Sequence, residues 1–245
     1  MKINEKRVKV KAVLKAIIPS PGRNAVRNAS SICRSIMEAI AHIPTVTISL
    51  IAESSNLRKR YPPIKSTELL AIRHTPKITY KSRTLDLGCG SNPRNPFGAD
   101  EAWGVDIRDD LGNEIKVANL ATEGIPFEND FFDFCTAFDV IEHIPRNSWA
   151  NGQCRMAFIE LMNEIYRVLK PGGLFLHSTP AFPSKRAFQD PTHVNIITED
   201  TMPDYFCHPH KWARRLGYGF NGNFELVDQR WVDDSWLSGI LRAIK

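Results

Sequence analysis

Residues 84–93 read T-L-D-L-G-C-G-S-N-P, and this stretch decides the fold class of the chain. A short apolar strand ends in Asp86, and the chain then turns through Gly88 and Gly90. Glycines at such positions let the backbone approach a ligand that a Cβ atom would exclude. The carboxylate at the strand end adds a charged hydrogen-bond acceptor beside the loop. The pattern predicts a ligand-binding turn at the carboxyl end of a buried strand.

A second short strand, A-W-G-V-D-I at residues 102–107, ends in Asp106. An acid about twenty residues beyond the glycine loop suits the ribose hydroxyls of a nucleoside in a doubly wound α/β fold. A dinucleotide fingerprint, G-x-G-x-x-G, would need a third glycine, but Pro93 stands there. An acidic strand end is also a poor neighbour for a pyrophosphate. We therefore predict a pocket for a cationic nucleoside such as S-adenosylmethionine, and not for NAD.

With these residues the loop resembles D-x-G-C-G, the first motif of the class I S-adenosylmethionine-dependent methyltransferases. The likeness continues in order through I-K-V-A-N-L at 115–120, I-P-F-E-N-D-F-F-D at 125–133 and Y-R-V-L-K-P-G-G at 166–173. It implies a doubly wound, mostly parallel, seven-stranded Rossmann-like sheet and S-adenosylmethionine as cofactor. The cofactor contacts that it implies fall on Asp86, Gly88, Gly90, Asp106, Ile107, Asn119, Leu120 and Phe138.

Periodicity supplies the remaining elements. Apolar side chains at Phe158, Leu161, Ile165 and Leu169 recur at helical spacing and predict one buried helix face. Near the C-terminus, L-G-Y-G-F at residues 216–220 resembles the run that precedes the sixth strand in this family, and the resemblance implies that F-E-L-V at residues 224–227 is that strand. The residues 236–245, W-L-S-G-I-L-R-A-I-K, predict a small amphipathic helix, so the seventh strand is expected to be short, displaced or missing.

The chemistry is expected beyond the strand ends, because open α/β sheets bind ligands there. Methyl transfer needs an acceptor held in line and, for a hydroxyl acceptor, a group that removes its proton. Histidine can take a proton at neutral pH. His143 follows the fourth strand, and His193 lies in the polar segment Q-D-P-T-H-V-N after the fifth. We therefore predict His143 and His193 as catalytic residues; each could instead serve a structural role.

The four residues Asp139, Glu142, His143 and His193 raise a second possibility. A helix would place the first three on one face. The set resembles the E-x-x-E-H … H metal ligands of small-RNA 2′-O-methyltransferases, with Asp at the first position. Carboxylates and imidazoles suit a divalent ion that acidifies a hydroxyl. The same run is ordinary in metal-independent members of the family, so we predict no metal and keep these residues as the set to test.

Charge is distributed unevenly along the chain. Residues 1–83 hold seventeen Lys and Arg against four Glu, a balance of +13, whereas the whole chain carries +5. We predict a basic N-terminal extension over residues 1–78, a helical cap, ahead of a methyltransferase domain at 79–245. Three roles stay open for the extension: closing over the substrate, peripheral contact with an anionic membrane, or phosphate contacts with nucleic acid. Few aromatic residues accompany the charge, which disfavours nucleic acid.

Five cysteines without a C-x-x-C pair argue against a disulfide framework and for a reducing compartment, the cytoplasm. The acceptor that we expect is a hydroxyl on a small molecule or sugar, such as a surface-glycan intermediate. The alternatives are an RNA methyltransferase that uses the basic extension and an inactive cofactor-binding partner subunit. The acceptor, the regiochemistry and the oligomeric state do not follow from the sequence.

Overall fold

The computed structural model describes residues 80–111, 115–150 and 152–245. The basic extension predicted over residues 1–78 lies outside the described residues. Nine strands lie within the described part: β1 (Arg83–Leu87), β2 (Glu101–Asp106), β3 (Ile115–Val117), β4 (Phe132–Phe138), β5 (Ser148–Ala150), β6 (Gln153–Arg155), β7 (Leu169–Pro180), β8 (Phe224–Val232) and β9 (Trp236–Ala243). The helices described are α1 (Ala157–Val168), α2 (Arg186–Gln189), α3 (Thr201–Phe206) and α4 (Trp212–Arg215).

Seven of these strands form one sheet in the order β3-β2-β1-β4-β7-β9-β8. Strands β3, β2, β1, β4 and β7 pair in parallel with their neighbours in this order, whereas β9 runs antiparallel to both β7 and β8. The remaining two strands, β5 and β6, form a separate hairpin. The predicted fold class, a mostly parallel seven-stranded Rossmann-like sheet, is confirmed. Parallel pairing brings the carboxyl ends of β1, β2, β4 and β7 to one edge, where ligands of such sheets bind.

The predicted helix is α1, and its buried face is the one that the periodicity indicated. Phe158, Leu161 and Ile165 are buried against the sheet. The helix ends at Val168, so the prediction was wrong for Leu169, which is instead the first residue of β7. An apolar stripe on a helix that packs against a sheet is the normal way to close one layer of an α/β core.

The C-terminal prediction was wrong, because residues 236–243 form strand β9 and not a helix. The strand pairs with β7 on one edge and β8 on the other, and its apolar side chains Leu237, Ile240 and Leu241 are buried in the core. A short apolar run buried on both faces has no distinctive period, and periodicity cannot separate it from a buried helix. Gly239 sits over His177, and a Cβ at residue 239 would lie 2.4 Å from the imidazole Nε2.

No helix within the described residues is long and apolar enough to cross a membrane.

Candidate active site

The loop after β1 depends on two glycines in the left-handed region. Gly88 has φ +60° and its amide donates to the Val105 carbonyl at 2.7 Å. A Cβ at residue 88 would lie 2.4 Å from a methyl group of Val140. Gly90 has φ +62°, and its amide donates to Asp106 Oδ2 at 2.8 Å. A side chain at residue 88 would therefore be strained and would clash, and the loop brings bare backbone to the sheet edge.

Asp86 is almost completely buried in β1, opposite Thr136 of the neighbouring strand β4. Thr136 Oγ1 donates to one carboxylate oxygen at 2.6 Å, and the amide of Arg94 donates to the other at 2.8 Å. Burial raises the pKa of Asp86, although these hydrogen bonds act in the opposite direction. The carboxylate thus ties the loop back onto two strands.

Asp106, at the end of β2, is also buried, but its surroundings are more polar. Oδ1 accepts from the backbone amide of Arg108 at 3.1 Å and from its guanidinium Nε at 3.0 Å, and Oδ2 accepts from Gly90. Burial alone would raise the pKa of Asp106, but the hydrogen bonds from Arg108 and Gly90 outweigh it and lower the pKa. A ribose diol would have to share this carboxylate with the Arg108 side chain, which is 57% exposed.

The other predicted cofactor residues surround these two acids along the same edge. The amide of Ala118 donates to the Asp106 carbonyl at 2.9 Å, which places Asn119 and Leu120 just beyond the end of β2. Leu120 is buried and Phe138 half-buried, whereas Ile107 is exposed. The Asn119 side chain accepts from the amide of Ala121 and so supports its own turn.

The segment after β4 differs from the helix that the D-x-x-E-H spacing would form. It is a single 3-10 turn, Ile141–His143, preceded by Asp139 in the left-handed region at φ +54°. Asp139 Oδ1 accepts from Trp236 Nε1 at 2.7 Å. A shared helix face for Asp139, Glu142 and His143 was therefore wrong: the chain leaves the strand through a tight turn before any helix can begin.

Hydrogen bonds fasten the segment after β7 onto this 3-10 turn. The amides of Val194 and Asn195 both donate to the Glu142 carbonyl at 2.9 Å. The buried Asn195 side chain donates to the Ile141 carbonyl at 3.0 Å and accepts from Arg146 Nε at 2.9 Å. These contacts span about fifty residues of sequence, and they fix the distance between the two predicted histidines.

His143 and His193 come together as a result, with ring centroids 4.9 Å apart in an edge-to-face arrangement. Glu142 lies beneath them, buried, with Oε2 accepting from Thr179 at 2.7 Å. Burial raises the pKa of Glu142. Its Oε1 and the Nδ1 atom of His193 are buried without a hydrogen-bond partner. A polar site with unmet hydrogen-bonding capacity is ready to receive a polar ligand.

Three of the four residues considered for a metal lie close together. Glu142, His143 and His193 each offer one ligand atom, and these atoms lie within 4.8 Å of one another. Asp139, the fourth, instead accepts a hydrogen bond from Trp236. Within the described part of the chain this is the one group of three or more such residues.

Sequence reasoning missed Thr192, Asn195 and Arg146, which orient and fasten the histidines. Thr192 Oγ1 lies 3.0 Å from His143 Nδ1 and donates to Asp190 Oδ1 at 2.6 Å. An aspartate two residues before a threonine is a local turn signal that could have been read. No local signal pairs Thr192 with a histidine 49 residues earlier.

A cavity of about 570 Å³ opens next to these segments. Its lining includes Arg146 and Thr198, from the segments after β4 and β7, and the aromatic rings of Phe158, Tyr205 and Tyr218. The Arg146 guanidinium donates to Asn195 and to the Ile196 carbonyl. The cavity therefore shares a wall with the loops that carry the histidines.

Comparison with known proteins identifies the family. A family model described as a methyltransferase domain matches residues 56–218, well over half of the chain. No curated protein gives a significant match.

Solved structures resemble the chain at low sequence identity. A chain from the complex between the Haloferax volcanii Trm112 methyltransferase activator and a methyltransferase has a TM-score of 0.49 at 13% identity, covering 79% of this chain and 95% of that one. An S-adenosylmethionine-dependent methyltransferase from Mesorhizobium loti has a TM-score of 0.45 at 14% identity, covering 72% and 98%. One from Archaeoglobus fulgidus has a TM-score of 0.40 at 16% identity, covering 66% and 86%.

The chain belongs to the methyltransferase-domain family. It is a class I S-adenosylmethionine-dependent methyltransferase, as the loop after β1 predicted. The residues present fit this cofactor: Asp86 and Asp106 set two carboxylates at adjacent strand ends, beside a loop that a Cβ at Gly88 would obstruct.

Proposed function

We propose that this enzyme transfers a methyl group to a hydroxyl of a small molecule or sugar, with His143 as the group that removes the hydroxyl proton. The observation that carries the proposal is the meeting of His143 and His193 at 4.9 Å on the segments after β4 and β7. These segments follow strands whose carboxyl ends share an edge with those of β1 and β2. A hydroxyl acceptor needs such a base, because its proton must leave during or after attack.

The cofactor side of the proposal rests on Asp106, Asp86 and the glycine loop. Asp106 would accept hydrogen bonds from the ribose, and Asp86 would place a negative charge near the cationic end. Asn119, Leu120, Ile107 and Phe138 would border the adenine and the methyl donor. When bound, S-adenosylmethionine supplies an already activated methyl group, so the chain's own residues mainly orient the acceptor and accept its proton.

The acceptor would lie between the histidine pair and the adjoining cavity. Its mixed lining, with Arg146 at one side and Phe158, Tyr205 and Tyr218 at the other, suits a compact molecule with polar and ring-like faces. An acceptor of the sugar class fits this mixture, since sugars pair hydroxyls with flat C–H faces that pack on aromatic rings.

The deciding experiment is methyl transfer from radiolabelled S-adenosylmethionine into separate acceptor pools. Free and nucleotide-linked sugars, glycolipid intermediates, small-molecule extract and total RNA would be incubated with the full chain. Label in a sugar or small-molecule pool, stable to base as an ether is, supports the proposal. Label in RNA alone would favour the second candidate, for which the +13 balance of residues 1–83 speaks. Label in none, with the donor bound, would favour a non-catalytic partner subunit.

A further inference from the structure

The segment after β7 connects a carboxylate to His143 through a hydroxyl. Thr192 Oγ1 lies 2.6 Å from Asp190 Oδ1 and 3.0 Å from His143 Nδ1. The amide of Thr192 also donates to Asp190 Oδ1, at 2.8 Å, so the three residues form a fixed turn. His193, the next residue, contacts Asp190 through the backbone: its amide donates to the Asp190 carbonyl at 3.1 Å.

Counting hydrogens assigns the direction of each bond in this chain of three groups. A threonine hydroxyl has one hydrogen to donate and lone pairs that accept, whereas an ionised carboxylate only accepts. Hydrogen bonds from Thr192 lower the pKa of Asp190, which is therefore ionised at neutral pH. The hydroxyl hydrogen points to Asp190, and Thr192 Oγ1 is left to accept from His143. The imidazole must then carry its hydrogen on Nδ1.

We propose that Thr192, held by Asp190, is a positioning residue that keeps neutral His143 in the Nδ1–H tautomer. Nε2 then carries the free lone pair, and this is the nitrogen that takes the acceptor proton. This inference rests on the proposed function of His143 as the proton acceptor. Once Nε2 is protonated, Nδ1–H still donates to Thr192, and the Asp190 carboxylate lies one hydroxyl away from the new positive charge. The tautomer of a catalytic histidine is set by what its other nitrogen bonds.

The alternative is that Thr192 only shapes the turn. Its backbone amide bond to Asp190 would survive any side-chain change, so substitutions can separate the two roles. Thr192→Val keeps the shape of the side chain and removes the hydroxyl. Thr192→Ser keeps the hydroxyl and removes the methyl group. If Thr192 only shapes the turn, neither variant should change the tautomer of His143. If Thr192 is a positioning residue, Thr192→Val alone should change it.

The experiment is nitrogen-15 NMR on full-length protein labelled at its seven histidines, with the His143 signals assigned by their loss in His143→Gln. We expect Nδ1–H in the wild type and in Thr192→Ser, and a mixture or the other tautomer in Thr192→Val. Turnover should fall by about tenfold or more in Thr192→Val, a part of what loss of the base itself costs. It should stay within about twofold in Thr192→Ser, with S-adenosylhomocysteine affinity unchanged in both.

Several outcomes would overturn the inference. These are Nε2–H at His143 in the wild type, the same tautomer in Thr192→Val as in the wild type, and equal turnover in all three proteins. Equal losses of turnover in Thr192→Val and Thr192→Ser would also overturn it, because Thr192→Ser keeps the hydroxyl on which the inference depends. The proposed function fails separately: if His143→Ala is fully active, His143 is not the proton acceptor, whatever its tautomer. An inactive His143→Ala with an unchanged tautomer in Thr192→Val removes only the role of Thr192.

Discussion

Two regions of the same sheet edge differ in how their polar groups are satisfied. At the ends of β1 and β2, every carboxylate oxygen of Asp86 and Asp106 accepts a hydrogen bond from strand β4 or from the loops that follow β1 and β2. In the loops after β4 and β7, Glu142 Oε1 and His193 Nδ1 are buried with no partner. The first region is built before a ligand arrives. The second retains unmet hydrogen-bonding capacity, which costs stability and is found at functional sites.

The contrast separates two kinds of effect. Changes at the β1 and β2 ends should act on cofactor affinity, and changes in the β4 and β7 loops should act on turnover.

Replacing His143 by Ala should lower turnover about a hundredfold or more, the usual cost of losing a general base. S-adenosylhomocysteine affinity, measured by calorimetry, should not change. His210→Ala, which removes an exposed histidine of another loop, is the matched control and should retain wild-type turnover. If His143→Ala weakened S-adenosylhomocysteine binding and left turnover unchanged, the two regions would not have separate roles in binding and turnover.

His177 bears on this comparison because its protonation would destabilise the fold at acidic pH, and the resulting loss of activity would resemble that caused by protonation of a catalytic base. It is fully buried in β7 with both ring nitrogens unpartnered, and burial lowers its pKa to about 4. The unfolded chain binds this proton at an ordinary pKa of about 6.5. Between these values the unfolded state holds more protons, so the free energy of unfolding rises with pH. On acidification it should fall by on the order of 3 kcal/mol, the loss being complete near pH 4.

Urea titrations between pH 4 and pH 8 would measure this loss. His177→Leu should flatten the curve relative to the wild type, since no titrating group remains at residue 177. Equal pH dependence in the two proteins would show that His177 is not protonated on unfolding. The midpoint also defines the pH range in which an acidic fall in activity can be assigned to His143 and not to loss of the fold.

Replacing Asp106 by Ala should weaken S-adenosylhomocysteine binding by about 1.5–3 kcal/mol, the range for hydrogen bonds to a charged group. That is roughly a 10- to 150-fold change in Kd. Asp109→Ala removes an exposed acid three residues away and should leave Kd unchanged. If the wild type bound a nicotinamide cofactor and did not bind S-adenosylhomocysteine, the residues of this edge would have been assigned to the wrong ligand.

Removing the Arg108 side chain should have a smaller effect of opposite sign. The guanidinium pairs with Asp106 at 3.0 Å but is mostly exposed, and solvent screening makes such pairs weak. Arg108→Ala should tighten S-adenosylhomocysteine binding up to about fivefold at low salt, with less change at high salt. Weaker binding would mean that Arg108 contacts the ligand directly and does not compete with it.

Chelator should have no effect on turnover if His143 acts as a base without a metal. Wild-type activity would be measured after dialysis against EDTA, with and without added Mg²⁺, Mn²⁺ or Zn²⁺. Loss in chelator that a divalent ion restores would show instead that Glu142, His143 and His193, whose ligand atoms lie within 4.8 Å, bind a cation.

Much of the sheet could be predicted from the sequence because the features that indicate it lie close together in the chain. The strand that ends at Asp86, the glycines at residues 88 and 90, and Asp106 lie within about twenty residues, and each follows from strand and turn chemistry. The helix α1 was readable for the same reason, since one apolar stripe fixes its buried face. Strand β9 was not, because residues 237–241 are all buried without alternation, and one of its two partner strands, β7, lies about sixty residues earlier in the chain.

The family, the cofactor class and the two candidate histidines could be predicted from the sequence. The surroundings of those histidines depend on the tertiary structure. It turned Asp139 away to Trp236, joined His143 to Asp190 through Thr192, and brought His193 to 4.9 Å from His143. The physical reason is the range of the interactions. Backbone conformation and strand patterning are set by near neighbours. The contacts of Asp139 with Trp236 and of His143 with Thr192 and His193 instead join residues 49 or more apart, and only the closed sheet brings their loops to one edge.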